Sequence, residues 1–305
     1  MKNTHVILSE FRRKLFKSCY GEDFIKKCHP GRSRRRLIGS IMILAIALAL
    51  ASCGGDSGSN ANSDEPVSSS SVKSSSSSAE SSSSVTVATS CKTEKKDNCE
   101  YGSLTDDRDG QTYKTVKIGE QIWMAENLNY EERNSYCYND SAEYCAKYGR
   151  LYTWAAAMDS AAKWSNNGRA CGFNMMTCSP KYPVRGICPE GWHLPSNLEF
   201  KTLFEAVGGK PTAGMDLKYT KGWHNEGYGT DAFGFSALPA GDRETSGRRD
   251  ADVVFNNEGN DTYFWSSTEF SATCAWGMYL NYNKDNTYLD CGRKSYGFSV
   301  RCIKN

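Results

Sequence analysis

Histidine is nearly missing from this chain, with four in 305 residues, and two of those (His5 and His29) lie ahead of residue 53. His193 and His224 stand 31 positions apart in sequence. Neither the HExxH pair of a zinc protease nor the glycine-flanked serine of a nucleophile elbow occurs, so no metal, cofactor or serine-triad catalysis is expected. No CxxC is present, which leaves no thioredoxin-like redox site and no zinc knuckle. Asp106, Asp107 and Asp109 miss the spacing of an EF-hand loop, and Asp109-Gly110 reads instead as a turn. An excess of positive charge is also missing from the body of the chain. Eleven of the 37 Lys/Arg but only three of the 35 Asp/Glu lie in residues 1–52, which leaves 26 basic against 32 acidic residues, a net charge of −6. That balance offers no electrostatic footprint for nucleic acid.

What is present at the N-terminus speaks of export. Residues 37–52 (LIGSIMILAIALALAS) form an apolar run behind Arg32, Arg34, Arg35 and Arg36. It is short for a membrane-spanning helix and has the length of a signal-peptide core. The segment ahead of the arginines is longer than a signal needs, as an initiator assigned too far upstream would make it. From residue 54 to 90 serine dominates, with unbroken runs at 68–71, 74–78 and 81–84. Such a stretch cannot bury enough apolar surface to offset ordering, and as a random coil its ends would lie roughly 30–36 Å apart. The chain thus divides into a leader (1–52), a flexible tether (53–90) and one globular domain (91–305).

Ten cysteines fall in that domain, and an even number in an exported chain reads as a disulfide set. Nearest-neighbour spacing favours Cys91–Cys99, Cys137–Cys145 and Cys171–Cys178 as short loops, Cys274–Cys291 as a hairpin staple and Cys188–Cys302 as the closure of a long loop. Other connectivities remain open. Residues 111–118 alternate in strand fashion and 122–124 suit a following strand. Residues 152–164 (YTWAAAMDSAAKW) read as a helix. Ser196 with Glu199 has capping-box spacing ahead of Phe200, Leu203, Phe204 and Val207, and Gly208-Gly209 ends that helix. Short strands are expected at 233–238, 263–267, 275–282, 287–289 and 297–303, with 279–288 a hairpin turning at Lys284-Asp285-Asn286. Asp242–Asp252 reads as solvated loop. The class is α+β and loop-rich.

Several blocks carry a resemblance. Leu50-Ala51-Ser52-Cys53 resembles the lipobox of bacterial lipoproteins, which implies acylation at Cys53, anchorage in a bilayer and, given the tether, display on the outer membrane. Residues 109–130, 149–157, 188–196 (CPEGWHLPS), 233–241 (FGFSALPAG), 264–269 (FWSSTE) and 296–302 (YGFSVRC) resemble, in order, the Fibrobacter succinogenes major paralogous domain, whose members are typically exported behind such signals. That resemblance spans residues 106–305 and names no activity. More loosely, CPEGW, the helix after Leu194-Pro195-Ser196, Trp265 and the closing Val300-Arg301-Cys302 are similar to the C-type lectin-like fold. A Cys188–Cys302 bridge matches its pattern of tied ends. The calcium-sugar motif of the calcium-dependent lectins and the RGGSW block of formylglycine-generating enzymes are both missing.

His193, inside CPEGWHLPS, is expected to be structural. Trp223, His224, Asn225 and Tyr228, and then Tyr279, Asn281, Asn283 and Asp285, lie in polar loops where rings could stack on sugars and amides could bond hydroxyls. A disulfide-rich domain with few aliphatics could equally use such rings as core. That second reading is favoured for Trp123, Trp154, Trp192 and Trp265 and is on a par with the first for Trp276. The leading expectation is a surface lipoprotein that binds an extracellular ligand such as a plant or cell-surface polysaccharide. An envelope scaffold or protein adhesin is the alternative, and an enzyme of formylglycine-generating or hydrolase type the third.

Overall fold

The computed structural model describes residues 87–172, 177–246 and 252–305. The expected leader, Cys53 and all of the tether up to residue 86 lie outside the described residues. In chain order the strands are β1 (Tyr101–Thr105), β2 (Thr112–Ile118), β3 (Gln121–Met124), β4 (Ser135–Tyr136), β5 (Leu151–Tyr152), β6 (Trp192–His193), β7 (Asp242–Ser246), β8 (Asp252–Asn256), β9 (Asp261–Glu269), β10 (Cys274–Asn281), β11 (Tyr288–Arg293) and β12 (Ile303–Lys304). The helices are α1 (Ala142–Tyr148), α2 (Trp154–Ala157), α3 (Asn197–Ala206) and α4 (Lys210–Leu217).

A five-stranded antiparallel sheet runs β1-β2-β3-β12-β6, so the last strand of the chain lies between an early strand and the CPEGW strand. The second sheet is β11-β10-β9, and two-stranded ribbons β4-β5 and β7-β8 complete the set. Asp109-Gly110 does turn the chain between β1 and β2, with Gly110 in the left-handed region at φ 76°. Asp106 is fully buried, and its carboxylate accepts from Arg108 Nε and Nη2 at 2.8 and 2.6 Å. The three aspartates therefore form a turn closed by an ion pair.

Helix α3 begins as its sequence requires. Ser196 Oγ accepts from the Glu199 N–H, and the Glu199 carboxylate accepts from the Ser196 N–H at 2.7 Å. His193 joins this cap: its Nε2 lies 2.6 Å from Glu199 Oε1 and its Nδ1 2.6 Å from Asn305 Oδ1. The buried face of α3 presents Phe200, Leu203 and Phe204, with Phe200 stacked on Trp123 at 5.5 Å.

Four segments depart from expectation: 297–303 holds only isolated bridges at Gly297, Phe298 and Ser299 before β12 begins, and the other three depart for local reasons. The helix expected at 152–164 is only α2. Asp159, at φ 52°, draws the N–H groups of Lys163, Trp164 and Ser165 onto its carboxylate at 2.7–2.9 Å. A side chain that satisfies three successive backbone donors competes directly with helical bonding. Residues 233–238 form no strand, because Asp231 binds the Ser236 N–H and hydroxyl while Arg301 takes the carbonyls of Phe235 and Ser236. Asp242–Asp252 is not a solvated loop: its two ends are strands of the ribbon β7-β8, with Asp242 and Arg243 buried.

Cys91–Cys99, Cys137–Cys145, Cys171–Cys178 and Cys188–Cys302 are bridged. The expected Cys274–Cys291 staple is not formed. Register sets Cys274 opposite Arg293 and Cys291 opposite Trp276, so the two cysteines are diagonal neighbours. Diagonal positions lie about 7–8 Å apart, beyond the usual reach of a disulfide.

The core's most demanding member is Arg301, fully buried and, among the described residues, without a carboxylate in ion-pair contact. Its guanidinium donates to Asn127 Oδ1 at 2.8 Å and to the carbonyls of Met124, Phe235 and Ser236. Burial lowers its pKa to about 9, which leaves it charged at neutral pH. Arg301→Met would strand those acceptors, and a denaturant melt should read a loss of about 3–5 kcal/mol. Arg301→Lys, with fewer donors in a different geometry, should recover only part of it.

Candidate functional site

The β11-β10-β9 sheet sends alternate side chains to opposite faces. Phe264, Met278 and Leu280 point into the core. The intervening positions place Tyr263 opposite Tyr279, and Tyr279 opposite Tyr288, so three tyrosines stand in a row across three strands. Their ring centroids are 4.9 and 5.0 Å apart, and all three are partly exposed. Phe298 lies against the inner end of the row, stacked on Tyr263 at 4.6 Å and tilted against Trp265 at 4.2 Å. It fits there because Gly292 has no side chain: a Cβ would come within 2.4 Å of the Phe298 ring.

One step along the strands, Asp261 pairs with Asn281 and accepts hydrogen bonds from Asn281 Nδ2 and, at 3.1 Å, Tyr279 Oη. Asp242 lies beside it, its Oδ1 accepting from Asn257 Nδ2 at 2.8 Å. Burial, followed by the charges of Glu244 and Asp261, lifts the Asp242 carboxyl to about 7. Asp261 is also raised by burial, against the opposing bonds from Asn281, Tyr279 and Tyr263. Burial pushes Tyr288 up to about 12 and Tyr263 and Tyr279 higher still, so all three remain neutral phenols.

The loops singled out in the sequence meet beside this row. Lys218 is buried, and its Nζ donates to the carbonyls of Asn281, Tyr282 and Lys284 at 3.1–3.4 Å. It thereby fixes the backbone of the β10-β11 turn, and burial lowers its pKa against the opposing charge of Asp285. His224–Glu226 form an exposed 3-10 turn that packs on this hairpin, with the His224 ring edge-on to Tyr282 at 5.6 Å. Gly227 is the contact point, since a Cβ there would lie 2.1 Å from the Tyr282 carbonyl. His224, Asn225, Tyr279, Asn281, Asn283 and Asp285 thus belong to one region.

Trp223 does not share it as a ligand contact. It is 3 % exposed and sits in the core, with Lys218 Nζ 5.4 Å from its ring centre, so no ligand can stack on it. Tyr228, 45 % exposed, instead lines a cavity of about 590 Å³ with Ser90, Lys92 and Thr93. Sequence reading missed Asp261, Tyr263, Tyr288 and Asp242. The first three carry only the period-two signal of their strands, and Asp242 was hidden in a segment read as solvated loop. Among the described residues no group of three or more His, Cys, Asp or Glu is placed to hold a metal.

The carboxyl pair gives a pH signature. Asp242 has a folded pKa above its unfolded value of 3.8, so its charged form opposes folding. The cost is absent below pH ~4, grows as pH rises toward 7 and is complete above it. Asp242→Asn should therefore stabilise the protein by on the order of 1–3 kcal/mol at pH 8 and by almost nothing at pH 4. Thermal melts of both proteins across that range test it, and an effect independent of pH would refute the assignment.

A family model described as the Fibrobacter succinogenes major domain matches residues 116–304. Comparison with curated proteins and with solved structures returned no match. The matched span takes in most of both sheets, the Cys188–Cys302 tie and the whole tyrosine row. The chain belongs to the Fibrobacter succinogenes major domain family.

Proposed function

We propose that this chain is a lipid-anchored outer-membrane surface protein whose domain, built on a C-type lectin-like plan, binds extracellular polysaccharide along the tyrosine row. The observation that carries the reading is the register Tyr263–Tyr279–Tyr288, which lines three partly exposed rings across one sheet. A tyrosine ring offers an apolar face with a polar tip. A sugar offers the complement, a C–H face edged with hydroxyls. Asn281, Asn283 and Asp290 flank the row as hydrogen-bonding partners, and the rings are already packed, so little side-chain entropy would be lost on binding.

The lectin-like plan is supported by the position of β12 between β3 and β6 and by the Cys188–Cys302 tie. The anchor rests on Leu50-Ala51-Ser52-Cys53 and the serine tether behind it. The carboxyls Asp242 and Asp261 are buried and already accept hydrogen bonds, Asp242 from Asn257 and Asp261 from Asn281 and Tyr279. They favour a buried structural role over hydrolysis.

The full chain should be retained saturably on insoluble cellulose or xylan. Tyr279→Ala and Tyr288→Ala should each weaken retention about tenfold or more, roughly 1.4 kcal/mol or above. Retention should not respond to a chelator. No retention on any polymer or soluble glycan would remove polysaccharide as the ligand and turn the search to protein partners. For the anchor, labelled palmitate should enter the wild-type chain in cells and be lost in Cys53→Ser.

A further inference from the structure

Two cavities lie side by side on a part of the fold that shares no residue with the tyrosine row. The first, about 550 Å³, is walled by β2, the segment after β3, helix α1 and Tyr219. The second, about 590 Å³, continues past Arg108, Tyr130 and Arg150. Gln111, Asn129 and Cys145 belong to both, and Gln111 Nε2 donates to the Asn129 carbonyl at 3.3 Å in the shared wall. Each cavity is of the size that takes a small ligand, about 300–1,000 Å³, and together they make a groove.

The floor of the groove is fixed and its rim is free to adapt. Asn127 Nδ2 donates to the Tyr148 carbonyl at 2.8 Å, and its Oδ1 accepts from buried Arg301. Tyr148 Oη donates to Glu258 at 2.5 Å, and the Cys137–Cys145 bridge pins α1. At the rim Lys114, Glu126 and Lys147 are exposed. Lys147 Nζ lies 3.4 Å from Glu258 and Lys114 Nζ 3.4 Å from the ring centre of Tyr101, while Glu126 Oε2 accepts the backbone N–H of Lys114 at 2.6 Å. Tyr219 adds partly exposed ring surface to the first cavity and Tyr130 to the second.

That combination selects a ligand class. An apolar molecule would strand the amides and ammonium groups that line the walls. A strongly anionic one would meet the carboxylates of Asp109, Glu126 and Glu131, which line the groove beside its cations. A neutral ligand with ring-sized apolar faces and many hydroxyls satisfies both surfaces. We propose that this groove seats a short neutral oligosaccharide, one or two sugar units in the first cavity and further units in the second. It is a site separate from the tyrosine row and does not depend on it.

Calorimetric titration of the full chain with β-1,4-linked glucose, xylose and mannose oligomers, from disaccharide to hexasaccharide, tests the proposal. At least one series should bind saturably, with affinity rising from disaccharide to tetrasaccharide as the second cavity fills. Ala146→Trp, which fills the first cavity from an exposed position on α1, should weaken binding about tenfold or more. Gln111→Leu in the shared wall should do the same if Ala146→Trp does not fold. In Tyr279→Ala, which removes any contribution of the row, saturable oligosaccharide binding that a groove variant weakens should remain. Absence of binding in every series, unaltered binding by a folded groove variant, or loss of oligosaccharide binding in Tyr279→Ala would each overturn the site.

Discussion

A guanidinium taken out of water with, among the described residues, no carboxylate in ion-pair contact is the constraint around which this domain is arranged. Arg301 must find oxygen acceptors or forfeit several kcal/mol of hydration. It finds them on Met124, Asn127, Phe235 and Ser236, segments far apart in the chain, while the rings of Phe235 and Phe264 lie over it at 4.4 and 5.3 Å. The next residue, Cys302, is bridged to Cys188, and the one after opens the strand held between β3 and β6. Three consecutive residues therefore close the fold by three different means: charge-dipole bonding, a covalent tie and sheet pairing.

The same closing segment supports the sheet that carries the tyrosine row. Phe298, three residues before Arg301, packs its ring on Tyr263 and Trp265 and over the bare backbone of Gly292. A tyrosine row on an isolated three-stranded sheet would be free to change rotamers. Here its inner end is wedged by Phe298 and Tyr279 is hydrogen-bonded to Asp261, so the rings are held in place. Cross-strand aromatic neighbours contribute only about 0.2–1 kcal/mol each, so the row's order comes chiefly from the core behind it.

What could be read from the sequence was what is local. The Ser196–Glu199 cap, the Asp109-Gly110 turn, the hairpin at 284–286 and the three short disulfide loops are each specified within about ten residues. Those elements formed. Cys188–Cys302 was legible for a different reason, as a pair left over once short loops were assigned and as a match to a known pattern of tied ends. The failures were side chains acting at a distance or against propensity. Asp159 unwound an alanine-rich helix, Arg301 claimed the carbonyls of an expected strand, and the β10-β11 register slid Cys274 and Cys291 out of line. For the site, the loops were legible by composition, but Trp223 could not be told from a core residue. Tyr263 and Tyr288 became neighbours of Tyr279 only through register, which no spacing along the chain encodes.

Lys218 has a consequence for how such a domain diversifies. It holds the β10-β11 turn entirely through main-chain oxygens, those of Asn281, Tyr282 and Lys284. Every residue type carries that oxygen, so the turn keeps its shape whatever side chains it bears. Asn283, Lys284, Asp285 and Asn286 are exposed at its tip. They can be exchanged without loss of the clamp that positions them, as letters can be reset in a fixed frame. A lineage that copies this domain many times could vary what each copy displays there while leaving untouched the buried lysine and arginine on which folding depends.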